Sequence, residues 1–389
     1  MYINPYRPGA GIAPKYLAGR EMTIQFAKSM LDNLSAGYTA RSVIYYGLRG
    51  VGKTVLLNKI EDMANEQNIP TEYLEVVEHK RNFQATIALH IYKLIHKLSM
   101  SKKIESYARR ALGILKAFSV KYSTENQELA IEFDPIKGIA DTGDLSNDIT
   151  ELFLSLGKIA FKEERGVIFL IDEIQYLKES EFEALITALH RANQKDYPLA
   201  IFAAGLPKIA KIAGNIKSYA ERLFNFIEIG SLTKDEAKLA LTKPADKFAV
   251  TYENAAIEKI ISVTQGYPYF IQEYGKWIWK RKGTNTKIKL SLVESAYSDF
   301  ENSLDKSFFK VRHDRATPRE IDFMKAMVLC DELPCNTKEI AEVMNESQQA
   351  ISPLRAQLIH KGFIYATTRG KVDFTVPQFD NYLRRIYEI

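Results

Sequence analysis

The chain is poor in the residues that make the simplest functional chemistries. Its 389 residues include only two cysteines, Cys330 and Cys335, too few for a disulfide framework or a four-ligand zinc site, so both read as reduced thiols. The histidines His79, His90, His96, His190, His313 and His360 do not cluster at metal-ligand spacing, and His90 reads as a helix residue rather than a ligand. No GxSxG nucleophile elbow and no nuclease carboxylate pattern occurs, so any effector activity is expected in a partner. No run of about 18 apolar residues suggests a membrane span, and residues 1–14 lack the apolar segment of a signal peptide. These absences point to a cytoplasmic protein with no membrane partner. An apolar fraction of 46% and a net charge of +5 are ordinary for a globular chain and neither demand nor exclude a nucleic acid.

What is present is concentrated in one stretch. Gly47-Leu48-Arg49-Gly50-Val51-Gly52-Lys53-Thr54 follows the apolar run Ser42–Tyr46, which reads as a buried strand, and opens a helix from Val55. Glycines let the backbone turn around phosphates, and successive N–H groups then face the anion at the positive end of a helix dipole. Residues Gly47 to Val55 are the candidate cradle for ATP or ADP, with Lys53 as a point charge at the β- and γ-phosphates and the Thr54 hydroxyl as a Mg²⁺ ligand. Downstream, Gly166–Ile171 is an apolar run that ends in Asp172-Glu173. Asp172 is the expected second contact to Mg²⁺, and Glu173 the carboxylate that polarises the attacking water.

Strand signals at Thr71–Val77, Gly166–Glu173, Pro198–Gly205 and Phe226–Ile229 alternate with helical stretches, which predicts an α/β fold with a parallel sheet of the P-loop NTPase kind over residues 1–230. Residues 122–148 read as a polar loop, the most mobile part of the core, with a possible short strand at Leu129–Phe133. The pattern then turns helical. Thr233 and Glu236 form a predicted capping box for the first helix of a lid over 231–290. A connecting helix over 291–316 leads to a winged helix-turn-helix domain over 317–389, with a hairpin turning at Arg369-Gly370-Lys371.

Charge is unevenly spread. Residues 80–121 carry ten Lys or Arg against Glu105 alone, a helical excursion that offers Lys102, Lys103, Arg109, Arg110 and Lys116 to a DNA backbone or simply forms a solvated face. The third helix of the last domain would present Gln348, Gln349, Arg355 and Gln357, with Lys361 at its end, to a major groove. That domain has nine basic and ten acidic residues, so a protein contact is equally open to it.

Together these motifs resemble the AAA+-type P-loop ATPases of the origin-recognition-initiator and STAND kind, prokaryotic, with a C-terminal winged helix. The resemblance rests on Leu17–Glu21, the phosphate loop, Ile171–Gln175, Ala204–Pro207, Glu221–Phe224 and Gly266-Tyr267-Pro268. It implies that Arg20 and Pro268 lie near the base. It also implies that Arg222 acts as an arginine finger toward a neighbouring subunit, the alternative being that it caps its own helix or pairs with a surface acid. Two departures imply slow turnover: Phe202–Gly205 offers no Asn, Thr or Arg to sense the γ-phosphate, and Tyr269 stands at the lid position where initiators carry an arginine. The expected protein is an ATP-dependent switch that forms homo-oligomers and engages double-stranded DNA or a protein partner. The alternative is a STAND-like signalling ATPase that acts on a protein without DNA.

Overall fold

The computed structural model describes residues 3–77, 83–98, 104–122 and 131–389. They fall into two compact units, one formed by Arg20–Gly47 and Lys53–Ile229, the other by the N-terminal segment through Gly19, Leu48–Gly52 and Gly230–Ile389.

The first unit runs α1 (Glu21–Ser35), β1 (Ser42–Tyr46), α2 (Lys53–Glu66), β2 (Thr71–Glu75), α3 (Phe83–Leu98), α4 (Glu105–Tyr122), α5 (Leu145–Lys162), β3 (Val167–Asp172), α6 (Glu179–Asn193), β4 (Leu199–Gly205), α7 (Lys208–Ile216), α8 (Ala220–Leu223) and β5 (Phe224–Glu228). The strands form one parallel sheet in the order β2-β3-β4-β1-β5. Every residue of β3 and β4 is buried, which is why both read as unbroken apolar runs: helices cover each face of the sheet. The predicted α/β parallel-sheet class is therefore observed. β4 lies between β1 and β3, so its C-terminal end separates the ends of the strands that carry the phosphate loop and Asp172.

The basic helical stretch is less of an excursion than its charge suggests. α3 and α4 contribute Ile87, Ile91, Leu94, Leu112, Leu115 and Phe118 to the same core as α5 and the sheet. Part of its charge is also taken up internally. Glu72, buried on β2, is met by His90 Nδ1 at 2.8 Å, Lys97 Nζ at 2.8 Å and Lys93 Nζ at 3.7 Å. Burial would raise the Glu72 carboxyl, but the bonds from His90 and Lys97 outweigh it and hold it below the ordinary range. His90 is thus a helix residue paired with a carboxylate, and among the described residues no group of three or more His, Cys, Asp or Glu side chains is placed to hold a metal ion.

The polar stretch before α5 is pinned by one side chain. Asp144 caps α5 by accepting from Ser146 N and Asn147 N, while the fully buried Asp148 accepts from Tyr122 Oη at 2.6 Å, Thr142 Oγ1 at 2.7 Å, Gly143 N at 3.0 Å and Thr142 N at 3.2 Å. Residues 131–133 form no strand, and the rest of the strand expected at 129–133 lies outside the described residues.

The second unit contains α9 (Lys234–Asp246), β6 (Thr251–Tyr252), α10 (Asn254–Thr264), α11 (Pro268–Arg281), β7 (Lys287–Ile288) and α12 (Leu290–Ser303). The capping box is present, with Thr233 N donating to Glu236 Oε2 at 2.7 Å and Glu236 N to Thr233 Oγ1 at 3.4 Å. The N-terminal segment belongs here: Tyr6 donates from its hydroxyl to Leu241 O at 2.6 Å and meets the Trp279 ring edge-on at 5.9 Å. α12 runs through a π turn, Leu304–Phe309, into α13 (Lys310–His313). Then follow α14 (Pro318–Leu329), β8 (Cys335–Asn336), α15 (Thr337–Val343), α16 (Gln348–His360), β9 (Ile364–Ala366), β10 (Lys371–Phe374) and α17 (Phe379–Tyr387). β9 and β10 pair antiparallel across the predicted turn, and β8 adds to the other side of β10. Cys330 and Cys335 are buried free thiols.

The Asp148 cluster gives a direct stability test. Burial alone would raise its carboxyl, but the hydrogen bonds from Tyr122, Thr142 and Gly143 outweigh burial and lower it. A lowered folded-state value means that the carboxylate stabilises the fold above its unfolded pKa of about 3.9 and ceases to do so as pH falls through the folded value. Asp148→Asn is expected to lose about 1.5–3 kcal/mol in denaturant unfolding at neutral pH. The gap to wild type should close below about pH 4.

Candidate nucleotide site

The site begins at the C-terminal end of β1. Gly50 (φ +81°) and Gly52 (φ +95°) adopt left-handed backbone that a side chain resists, and a Cβ at Gly52 would meet nothing within 4 Å, so its glycine serves the turn itself. Lys53 opens α2, is buried, and donates from Nζ to Gly47 O at 3.0 Å. One residue on, Thr54 Oγ1 donates to Asp172 Oδ2 at 2.7 Å. The hydroxyl and the carboxylate expected to share a divalent ion are thus brought together from α2 and β3.

Two groups that sequence reasoning left without a role complete this corner. Tyr73 on β2 donates from its hydroxyl to the same Asp172 Oδ2 at 3.0 Å. Burial, followed by the neighbouring Asp172 charge, raises the Tyr73 phenol, so it stays a donor. Glu173 has left-handed backbone (φ 54°, ψ 37°), a conformation a non-glycine residue adopts at a cost of about 1–2 kcal/mol. Its N–H donates to Asp172 Oδ1 at 2.8 Å, and its Oε2 accepts a hydrogen bond from Gln175 Nε2. The other end of the Gln175 amide accepts from Leu206 N at 3.0 Å. Gln175 therefore ties the Glu173 carboxylate to the end of β4. Gln175 stood within the Ile171–Gln175 motif, but nothing in its spacing announced this bridge, and Tyr73 carried no signal at all.

The remaining candidates are more dispersed. Arg20 is buried at the N-terminal end of α1, and Pro268 is half-buried at the first position of α11. Arg222 lies exposed on α8, and its guanidinium makes no hydrogen bond or ion pair among the described residues. The short turn around it is anchored, however, by Arg41, whose Nη2 donates to Phe224 O at 2.8 Å and also to Glu221 O. The alternatives of a self-capping or surface-paired Arg222 find no partner among the described residues.

Among the basic candidates, Arg109 and Arg110 are exposed on α4, Arg109 in an ion pair with Glu105 at 2.8 Å, and Lys116 is half-buried. Glu105, Glu132 and Asp134 line the same groove as the two arginines. Lys102 and Lys103 lie outside the described residues. Gln348 and Gln349 are exposed at the start of α16, whereas Arg355, expected as an exposed donor, is half-buried because its position turns toward the packed face between Ile351 and Leu358. Lys361 is not a free donor either: its Nζ meets the fully buried Glu320 at 2.8 Å.

Residues 16–202 match the AAA ATPase domain. The match spans the phosphate loop, β3 with Asp172 and Glu173, and most of β4. Residues 306–383 match a domain of unknown function (DUF8462). No curated protein matches the sequence. Among solved structures, the chain is similar to the Walker-type ATPase PABY2304 of Pyrococcus abyssi, at 15% identity and a TM-score of 0.55, over 95% of this chain and 96% of that one. That likeness extends the shared fold over nearly the whole length. Two further similar structures are the Aeropyrum pernix ORC1 protein in complex with DNA (14% identity, TM-score 0.48, 96% and 94% covered) and the Thermotoga maritima RuvB Holliday junction branch migration motor (17% identity, TM-score 0.46, 96% and 99% covered).

The Gln175 bridge can be tested without any ligand. Gln175→Ala leaves the buried Leu206 N–H unsatisfied, and a loss of about 1–3 kcal/mol in unfolding free energy is expected. Gln175→Glu keeps the acceptor but places a second carboxylate against Glu173, and should recover less than half of that loss at neutral pH.

Proposed function

We propose that this protein binds ATP at Gly47–Val55, hydrolyses it slowly, and uses the bound nucleotide to switch its own assembly. The observation that carries this reading is the 2.7 Å hydrogen bond from Thr54 Oγ1 to Asp172 Oδ2, with Glu173 next in the chain. The donor set suits magnesium, since a hydroxyl and a carboxylate oxygen are hard ligands at adjacent positions. Magnesium, when bound, neutralises charge on the phosphate oxygens. Thr54 and Asp172 would hold it, and Tyr73 keeps the Asp172 carboxylate oriented through its hydroxyl. Lys53 can release the Gly47 carbonyl and turn its ammonium to the phosphates. Glu173 would accept a proton from the attacking water, with Gln175 fixing the carboxylate that takes it.

Slow turnover is supported by the end of β4. Its residues Phe202–Gly205 supply no polar side chain to the γ-phosphate, and the first backbone donor beyond it, Leu206 N, is taken by Gln175. Arg222, exposed and without a partner among the described residues, suits a finger offered to a second copy of the chain, where it would stabilise charge developing during transfer. A homo-oligomer follows from that reading. α14, α15 and α16 with the β9–β10 hairpin have the element order of a winged helix-turn-helix, and Gln348 and Gln349 at the start of α16 are available to a DNA groove.

One set of observations favours the second reading, a STAND-like signalling ATPase whose target is a protein. Lys93 and Lys97 are engaged by Glu72, Arg109 by Glu105, and Lys361 by Glu320, which leaves fewer free cations for phosphates than the sequence count suggests. Measuring particle size with ADP, with a slowly hydrolysed ATP analogue, and with added duplex separates the two. Growth that requires duplex favours a DNA-bound switch; growth with the analogue alone favours the signalling ATPase.

The site residues predict separable defects. Lys53→Ala should abolish nucleotide binding in calorimetry. Glu173→Gln should bind ATP as wild type does while turnover falls about a hundredfold or more. Mixing Arg222→Ala subunits with Glu173→Gln subunits should restore part of the ATPase rate; mixtures no faster than either parent would argue against a finger acting across subunits.

A further inference from the structure

Within the second unit, several buried side-chain polar atoms lack a hydrogen-bond partner among the described residues, and one of them, the Tyr267 hydroxyl, lies against the phosphate loop. Tyr267 is fully inaccessible to solvent, and its hydroxyl has no hydrogen-bond partner among the described residues. A buried hydroxyl left unpaired is uncommon in folded proteins and destabilises them, so its position asks for an explanation. The hydroxyl lies against the phosphate loop: a Cβ built on Gly50 would come within 2.8 Å of Tyr267 Oη. Glycine at position 50 is thus required twice, for its backbone conformation and for the approach of this phenol.

The tyrosine is held firmly in place. Gly266 adopts left-handed backbone (φ +70°), its carbonyl accepts from Leu232 N at 2.8 Å, and a Cβ there would strike Leu232 O at 2.2 Å. Tyr267 itself is the residue before Pro268, which opens α11, and its ring packs on Phe270 with centroids 4.7 Å apart. Phe270 in turn meets Phe308, over which the Arg312 guanidinium lies at 5.5 Å. Burial raises the phenol, with the Arg312 and Arg49 charges pulling it back only in part, so the hydroxyl keeps its proton near neutral pH and can only gain by finding an acceptor. The environment therefore offers one buried O–H donor, two nearby guanidinium charges, and a loop of glycine backbone, which together favour an anion.

We infer that Tyr267 is a nucleotide-binding residue, its hydroxyl donating to a phosphate oxygen of the nucleoside polyphosphate held by the loop at Gly50. This rests on the proposed nucleotide reading and adds to it a contact from the turn before α11. No bond is made or broken by this contact. Its effect is to let a phosphate in the loop satisfy a donor that has no partner among the described residues.

Tyr267→Phe removes that one oxygen from the full-length chain and tests the assignment by two readouts. Without nucleotide, the variant should melt at the wild-type temperature or above, because an unpaired buried hydroxyl has been deleted. With magnesium, its dissociation constants for ADP and ATP should rise about tenfold or more, as for loss of a hydrogen bond to a charged group. Wild-type affinity in the variant overturns the inference while leaving the nucleotide reading intact. A lower melting temperature without nucleotide also overturns it, since the hydroxyl would then serve the fold. A wild-type chain that binds neither nucleotide sinks both readings.

Discussion

The hydrogen bond between Thr54 and Asp172 joins residues 118 positions apart, and the candidate chemistry depends on it. Neither partner has a role alone: a threonine in the first turn of a helix is a local donor, and an aspartate at a strand end is commonly solvated. They meet because β1 and β3 run parallel in one sheet and both end on the same side. That arrangement is itself a consequence of burial, since strands covered on both faces by helices need apolar side chains in both directions.

Around this contact the polar groups are organised in relays. Tyr73 holds Asp172 from β2, and Gln175 holds Glu173 from the direction of β4. Glu173 also stores backbone strain in its left-handed conformation, which its bond to Asp172 and the following 3₁₀ turn maintain. Support of this kind fixes the direction in which the Glu173 carboxylate points.

Charge tells a different story from composition. The basic stretch over 80–121 looks like an electrostatic arm when counted along the chain, yet α3 and α4 are core helices, and several of their cations face carboxylates contributed from elsewhere or from their own turn. The same holds for Lys361, which compensates the buried Glu320. A buried carboxylate stripped of its partner is destabilising, so these lysines are committed to the fold before they are available to a ligand.

Local patterns in the sequence determined much of this protein: the Gly47–Thr54 loop between strand and helix, the apolar run ending in Asp172-Glu173, the capping box at Thr233 and Glu236, and the hairpin around Gly370. Each depends on neighbours within a few residues, where backbone preference and hydrophobic period act directly. Only the tertiary structure decided that β4 would lie between the two site strands, that Gln175 and Tyr73 would orient the carboxylates, that Tyr267 would lie unpaired against Gly50, and that Arg355 and Lys361 would turn inward. These are contacts between segments far apart in the chain, and a single sequence carries no period or spacing that encodes which distant side chain will fill a given gap or neutralise a given charge.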